Sequence, residues 1–78
     1  MAKLELYGTA RCPYTQDMRD WLERKRSDFV EYDVEADSVA RERMRVLAAG
    51  QRSVPVLVED GKVIQIGWQG RSCIVDVE

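Results

Sequence analysis

The apolar and polar positions divide the chain into short segments of changing period. Leu4 and Leu6 alternate with charged residues and lead into Tyr7 and Gly8, the period-two pattern of a strand that ends in a turn. From Pro13 to about Arg26 the period lengthens: Met18, Trp21 and Leu22 fall at i, i+3 and i+4 in a polar run, with Lys and Arg crowding the last turn, where cations suit the helix dipole. The spacing predicts an amphipathic helix with Trp21 on its core face. Val30, Tyr32 and Val34 alternate again and predict a second strand. Ala40, Met44, Leu47 and Ala48 lie at i, i+4, i+7 and i+8, with Asp37 or Ser38 available as a cap and Gly50 placed to close the helix in the left-handed conformation. A second helix over about 38–49 follows. Val54-Pro55-Val56-Leu57-Val58, the turn Glu59-Asp60-Gly61-Lys62 and Val63-Ile64-Gln65-Ile66 read as a β-hairpin. The tail from Gly67 to Glu78 ends in Cys73-Ile74-Val75-Asp76-Val77, which suits either a short strand or a short helix.

The order β-α-β-α-β-β-(α) predicts an α/β domain with a single sheet, in which two βαβ-type crossovers precede an antiparallel hairpin. Pro55 is the odd residue in it. A proline has no N–H to give to a ladder, so it belongs at a strand's first residue or edge, either as an ordinary trans proline or with a cis Val54–Pro55 bond.

Composition narrows the function classes. The 78 residues have room for one domain, 1–78, with one modest core. A content of 45% hydrophobic and 33% charged residues is that of a soluble globular chain, and the net charge of −2 supplies no basic field for nucleic acid. Too few apolar residues precede Gly8 for a signal segment or membrane span, so no membrane partner and a reducing, cytoplasmic setting with free thiols are expected. The absence of histidine, with two cysteines 61 positions apart, excludes the Cys/His spacings of a single-chain zinc site, and no metal ligands are assigned.

The chemistry concentrates in Ala10-Arg11-Cys12-Pro13-Tyr14-Thr15-Gln16. Pro13 suits the first helical position, because its missing N–H would be unpaired there and its φ is already helical. Cys12 then falls at the N-cap, where free N–H groups, the helix dipole and the cation of Arg11 favour a thiolate. Such a cysteine is a nucleophile; the alternative is a buried, inert thiol. Thr15, at the third helical position, can donate its hydroxyl to the Cys12 sulfur, or can be a first-turn residue with no redox part.

Tyr7 five residues before Cys12, the Cys12-Pro13-Tyr14 core, Ser53-Val54-Pro55 and Gly67 together resemble the pattern of a glutaredoxin, of the thioredoxin-fold superfamily, along nearly the whole chain. The resemblance implies a thioredoxin-like fold, a mixed sheet with helices packed on it, and thiol–disulfide chemistry at Cys12. It also implies that Pro55 is cis and faces Cys12, and that the backbone of Val54 pairs with the cysteinyl part of glutathione. On this reading Pro13, Tyr14, Ser53, Val54, Pro55, Gly67 and Trp68 border a substrate or glutathione groove. Arg11, Gln51 and Arg52 flank it, either holding a carboxylate or simply solvated.

Three departures from the family pattern matter. Thr15 stands where a dithiol member has its second cysteine, Thr9 replaces a lysine, and Gly67-Trp68-Gln69-Gly70-Arg71-Ser72 replaces a Gly-Gly and acidic pair. The aromatic after Gly67 resembles the NrdH-type redoxins, and the motif as a whole resembles the small redoxins with Cys-Pro-Tyr-Thr or its selenocysteine counterpart. The resemblance therefore implies a monomeric, monothiol-type thiol–disulfide oxidoreductase acting on glutathione mixed disulfides or protein disulfides. Glutathione, as co-substrate, or thioredoxin reductase would supply its electrons. The alternatives are an iron–sulfur carrier, in which two chains each give Cys12 and two glutathiones complete a cluster, and a redox-dead domain that keeps only the fold.

With Thr15 unable to release a mixed disulfide, the second thiol is external or is Cys73. Cys73 lies in the segment that in this fold passes beside the groove, so it is expected to resolve Cys12 by an intramolecular bond, after movement of the glycine-bearing tail if the two start apart. Otherwise it is a small buried anchor beside Ile74 and Val75.

Overall fold

The computed structural model describes residues 3–75. Its elements are β1 (Leu4–Gly8), α1 (Pro13–Arg24), β2 (Phe29–Asp33), α2 (Ser38–Leu47), β3 (Ser53–Val54), β4 (Val56–Glu59), β5 (Lys62–Ile66) and β6 (Cys73–Ile74). Four strands form a mixed sheet in the order β2-β1-β4-β5, and β3 pairs with β6 in a second, two-stranded sheet. The architecture is mixed α/β, as expected.

β1 is central, parallel to β2 with Leu6 opposite Glu31, and antiparallel to β4 with Leu6 opposite Leu57. The connection β1–α1–β2 is the parallel crossover that the pattern predicts. The second connection departs from the prediction. Because β4 runs antiparallel to β1, α2 returns the chain in the reverse direction, so there is one βαβ crossover and not two. The predicted strand 54–58 is also divided at Pro55, which has no N–H for a ladder: Val54 ends β3, Val56 begins β4, and the peptide bond between Val54 and Pro55 is cis.

Alternation along β1 and β4 sends side chains to both faces, and a helix covers each. Leu6 and Leu57 meet Met18 and Leu22 of α1, with Leu4, Trp21, Phe29 and Trp68 at the rim. Tyr7, Val56 and Val58 meet Ala40 and Met44 of α2, together with Cys12, Val34, Val54 and Val75. Each Leu or Val buried in this way contributes about 1.5–3 kcal/mol. Trp21 departs from the sequence reading: it is half-buried at the edge, its ring centroid 5.7 Å from that of Trp68, with the Lys25 ammonium 4.1 Å from its centroid. β2 is an edge strand, so Val30, expected on a buried face, is exposed while Val34 is fully buried.

The helix ends show how local residues fix the boundaries. Asp37 caps α2, its side chain accepting from the N–H groups of Val39 at 3.0 Å and Ala40 at 3.1 Å. At the other end two successive residues are left-handed, Ala49 with φ 56° and, as expected, Gly50 with φ 86°. Ala49 donates to Val46 O and Gly50 to Arg45 O, the paired bonds of a Schellman closure. α1 ends earlier than expected, at Arg24, and Arg26 takes the same left-handed role with φ 58°.

The hairpin turn at Asp60 and Gly61, with φ 51° and 81°, matches the strand twist as a type I′ turn, and β4 carries one register shift between Leu57 and Val58. After β5 the chain folds back tightly. Gly67 donates to Pro55 O at 2.7 Å, and Trp68 and Arg71 exchange N–H to O bonds of 2.6 and 2.9 Å around Gln69 and Gly70. The tail then forms a strand and not a helix over Cys73–Ile74. Asp76 and Val77, included in the sequence reading of that element, lie outside the described residues.

Candidate functional site

Cys12 is the N-cap of α1, in extended backbone geometry with φ −86° and ψ 117°, and Pro13 occupies the first helical position. Its carbonyl accepts the first bond of the helix, from Gln16 N–H at 3.2 Å, while its side chain makes no capping hydrogen bond. The sulfur sits where the unpaired N–H groups of the first turn and the positive end of the dipole converge.

That sulfur is bonded to Cys73. The Cys12–Cys73 disulfide joins positions 61 apart with Cα atoms 6.0 Å from each other, inside the range that a bridge requires, so the tail needs no movement to bring them together. Two devices place Cys73. The compact turn over residues 67–71 reverses the chain after β5, and β6 pairs antiparallel with β3 so that Cys73 is the register partner of Val54. Val75 N–H extends this pairing by donating to Arg52 O at 2.8 Å. Gly67 is required at the start of the turn: its φ is +85°, and a Cβ there would meet Arg71 O at 2.7 Å.

Val54 stands behind Cys12, its carbonyl oxygen 4.0 Å from the Cys12 sulfur, which as a disulfide has no proton to donate, so this is a packing contact. Thr15 does not make the hydrogen bond to Cys12 that the sequence suggested. Its side chain is fully buried and its Oγ1 has no hydrogen-bond partner, pressed instead against Gly8, where an added Cβ would lie 2.6 Å from that oxygen.

A cleft of about 190 Å³ opens at the disulfide, lined by Thr9, Arg11, Cys12, Glu35, Cys73 and Ile74. Arg11, read from the sequence as a cation for Cys12 or for a carboxylate, is engaged by Glu35 through its Nε at 3.2 Å and its Nη2. The hydrogen bond to Glu35 raises the Arg11 pKa above its already high ordinary value. Glu35 carries no sequence signal as a site residue, because its partner lies 24 positions earlier and its loop has no periodic pattern.

The remaining predicted residues separate into groups. Tyr14 is half-buried against the cluster that contains Cys12 and Val54; Val54 and Pro55 are fully buried and Ser53 is half-buried, and none of these three lines the cleft at the disulfide. Gln51 and Arg52 line a different, larger cleft of about 430 Å³ with Arg41, Arg45, Met44 and Val75. β6 thus borders both clefts, through Cys73 and Ile74 on one and the adjoining Val75 on the other. Trp68 packs on Trp21 with the α1-side cluster, away from the Cys12 cluster. Among the described residues no group of three or more His, Cys, Asp or Glu is placed to hold a metal ion.

Comparison with known proteins agrees with the fold. A family model described as Glutaredoxin matches residues 4–64. The chain is 38% identical over 63 residues to a probable glutaredoxin of Synechocystis sp., covering 81% of this chain and 72% of that protein. It is likewise 38% identical over 61 residues to an uncharacterised glutaredoxin-like 8.6 kDa protein in the rubredoxin operon of Clostridium pasteurianum, covering 78% of this chain and 80% of that one. Among solved structures it superposes on the thioredoxin-like protein BC3987 with a TM-score of 0.74 at 30% identity, over 85% of this chain and 88% of the other. It superposes on a glutaredoxin from Archaeoglobus fulgidus with a TM-score of 0.71 at 25% identity, over 88% and 78%.

Proposed function

The chain belongs to the glutaredoxin family, and from that premise we propose that it is a thiol–disulfide oxidoreductase in which Cys12 is the nucleophile and Cys73 the resolving thiol. One observation carries the reading: Thr15 stands three residues after Cys12, while a cysteine 61 positions away is bonded to it. In the dithiol state, the Cys12 thiolate at the start of α1 attacks one sulfur of a target disulfide. A mixed disulfide forms on Cys12 and the other target sulfur leaves as a thiolate, protonated by solvent. Cys73 then attacks the Cys12 sulfur, expels the second target thiolate and closes the Cys12–Cys73 bond, so two electrons pass to the target.

Glutathione mixed disulfides and protein disulfides are the substrate classes that fit this cycle, and glutathione or thioredoxin reductase is the class of donor that restores the dithiol. A target disulfide would approach beside the Val54 backbone, whose carbonyl oxygen lies 4.0 Å from the Cys12 sulfur, with Ser53, Pro55 and Tyr14 as the neighbouring residues. A reducing, cytoplasmic setting suits a cycle that begins from free thiols. No helix among the described residues is long and apolar enough to cross a membrane.

The test is turnover on a glutathionylated peptide with either donor system. Cys12→Ser is expected to fall to background while keeping the fold, and Cys73→Ser to form one adduct and then depend on an external thiol. Activity retained in Cys12→Ser contradicts the reading.

A further inference from the structure

Two charged side chains border the cleft at the disulfide, and they are not held alike. Glu35 stands in the turn between β2 and α2, which is tied down on both sides: Val34 N–H donates to Gly8 O, Asp37 N–H to Asp33 O and Glu35 N–H to the Asp33 carboxylate, each at 2.9 Å. The Glu35 side chain is only 24% exposed, whereas that of Arg11 is 81% exposed and gives its Nε and Nη2 to Glu35. The other lining residues, Thr9, Cys12, Cys73 and Ile74, carry no charge in the disulfide state. An ion pair exposed to this degree is weak, so the long arginine can swing away while the carboxylate stays at the cleft. A carboxylate on an incoming molecule can take Arg11 only by displacing Glu35, and then lies beside it as a like charge. An incoming cation meets Glu35 as an opposite charge.

We propose that Glu35 sets the charge selectivity of the exchange reaction, disfavouring thiols and disulfides that carry a carboxylate near the sulfur and favouring those whose neighbouring groups are neutral or cationic. This rests on the redox cycle proposed above and adds to it the class of partner: disulfides flanked by basic or uncharged groups react ahead of those flanked by acidic ones, the carboxylates of glutathione included. The charge of Glu35 acts on whichever molecule occupies the cleft, entering or leaving, so reduction and oxidation by a given partner are affected alike.

Cysteamine, 2-mercaptoethanol and 3-mercaptopropionate serve as probes, since they carry an ammonium, a hydroxyl and a carboxylate on similar short chains. In each reaction two probe thiols become one disulfide and the protein disulfide becomes a dithiol. Oxidised wild-type, Glu35→Gln, Glu35→Asp and Arg11→Gln proteins are first shown by mass to contain the intramolecular disulfide. Each is then mixed with each probe, acid-quenched at a series of times, alkylated with N-ethylmaleimide and weighed. Dividing a variant's rate by the wild-type rate with the same probe removes the probe's own reactivity. Glu35→Gln is expected to raise the ratio of the mercaptopropionate rate to the cysteamine rate about threefold or more, and Arg11→Gln to lower it by a similar factor. Glu35→Asp, which keeps the charge, should hold the wild-type ratio. The differences should shrink at about 1 M salt, where the screening length is about 3 Å. Glu35→Gln rates that change by one common factor for all three probes, or not at all, overturn this proposal and leave the redox cycle standing, as does a Glu35→Asp ratio equal to that of Glu35→Gln. Oxidised wild-type protein that contains no intramolecular disulfide overturns both.

Discussion

Val54 and Cys73 face each other across a two-residue antiparallel ladder, and the same Cys73 is bonded to Cys12. The backbone pairing sets the height of Cys73 along β3, and the turn over residues 67–71 sets its approach. Main-chain hydrogen bonds thus position the disulfide together with the packing of both cysteines on one cluster.

Gly67→Ala tests that dependence. With φ at +85° and Arg71 O 2.7 Å from the added Cβ, the substitution is expected to cost roughly 2–3 kcal/mol in the oxidised protein. The redox equilibrium with glutathione should move toward the dithiol by about tenfold or more. Titration of both proteins against glutathione buffers reads this out, and an unchanged midpoint contradicts it.

The start of α1 is held by a second close approach, between Gly8 and Thr15. Gly8 has an ordinary φ, so its requirement is space: an alanine methyl would lie 2.6 Å from Thr15 Oγ1 and 3.0 Å from Thr15 Cβ. Gly8→Ala is expected to destabilise by roughly 1–3 kcal/mol. Because Thr15→Ala empties the space, the double variant should recover about 1 kcal/mol or more relative to additivity, measured by denaturant melts of all four proteins. Strict additivity would show that the two residues do not press on each other.

Thr15→Val separates the two roles of the Thr15 hydroxyl. In the oxidised protein the buried, unpaired oxygen is a liability, so the variant is expected to gain about 1 kcal/mol, a rise in Tm of roughly 4–8 °C for a domain of this size. In the dithiol form, a hydroxyl that donates to the Cys12 thiolate lowers that thiol's pKa, and its loss should raise the pKa measured by thiolate absorbance. Equal Tm values contradict the first expectation, and equal thiol pKa values remove the catalytic part for Thr15.

Ala49→Gly relieves a left-handed alanine at the end of α2, where φ is 56°. Glycine adopts this conformation without the Cβ conflict, and the gain is expected to be about 0.5–1 kcal/mol after its larger unfolded-state entropy. Chemical denaturation checks it. A loss of stability would mean that the Ala49 methyl makes a contact worth more than the strain.

Much of this arrangement is legible in the chain. A period-two run marks β1, apolar runs on either side of the Asp60-Gly61 turn mark β4 and β5, and Pro13 after Cys12 marks the helix start, because these signals are local. What is not legible depends on distant pairing. The choice between strand and helix for Cys73–Ile74 is decided by Ser53 and Val54, some 20 positions earlier, and the reversal that makes β4 antiparallel follows from no local pattern. Arg11 reads as a free cation because Glu35 is remote, and Trp21 reads as core because its helical spacing says nothing of Trp68 covering it at the rim. Gly50 takes the left-handed conformation read for it, with φ 86°, while the same conformation at Ala49 has no local signal.

The central claim is that Cys73 resolves Cys12, and mass spectrometry after adding one equivalent of oxidised glutathione to the reduced protein tests it most directly. The account predicts wild-type protein two hydrogens lighter with no glutathione attached, and Cys73→Ser carrying one glutathione on Cys12. A stable glutathione adduct on the wild-type protein would contradict it.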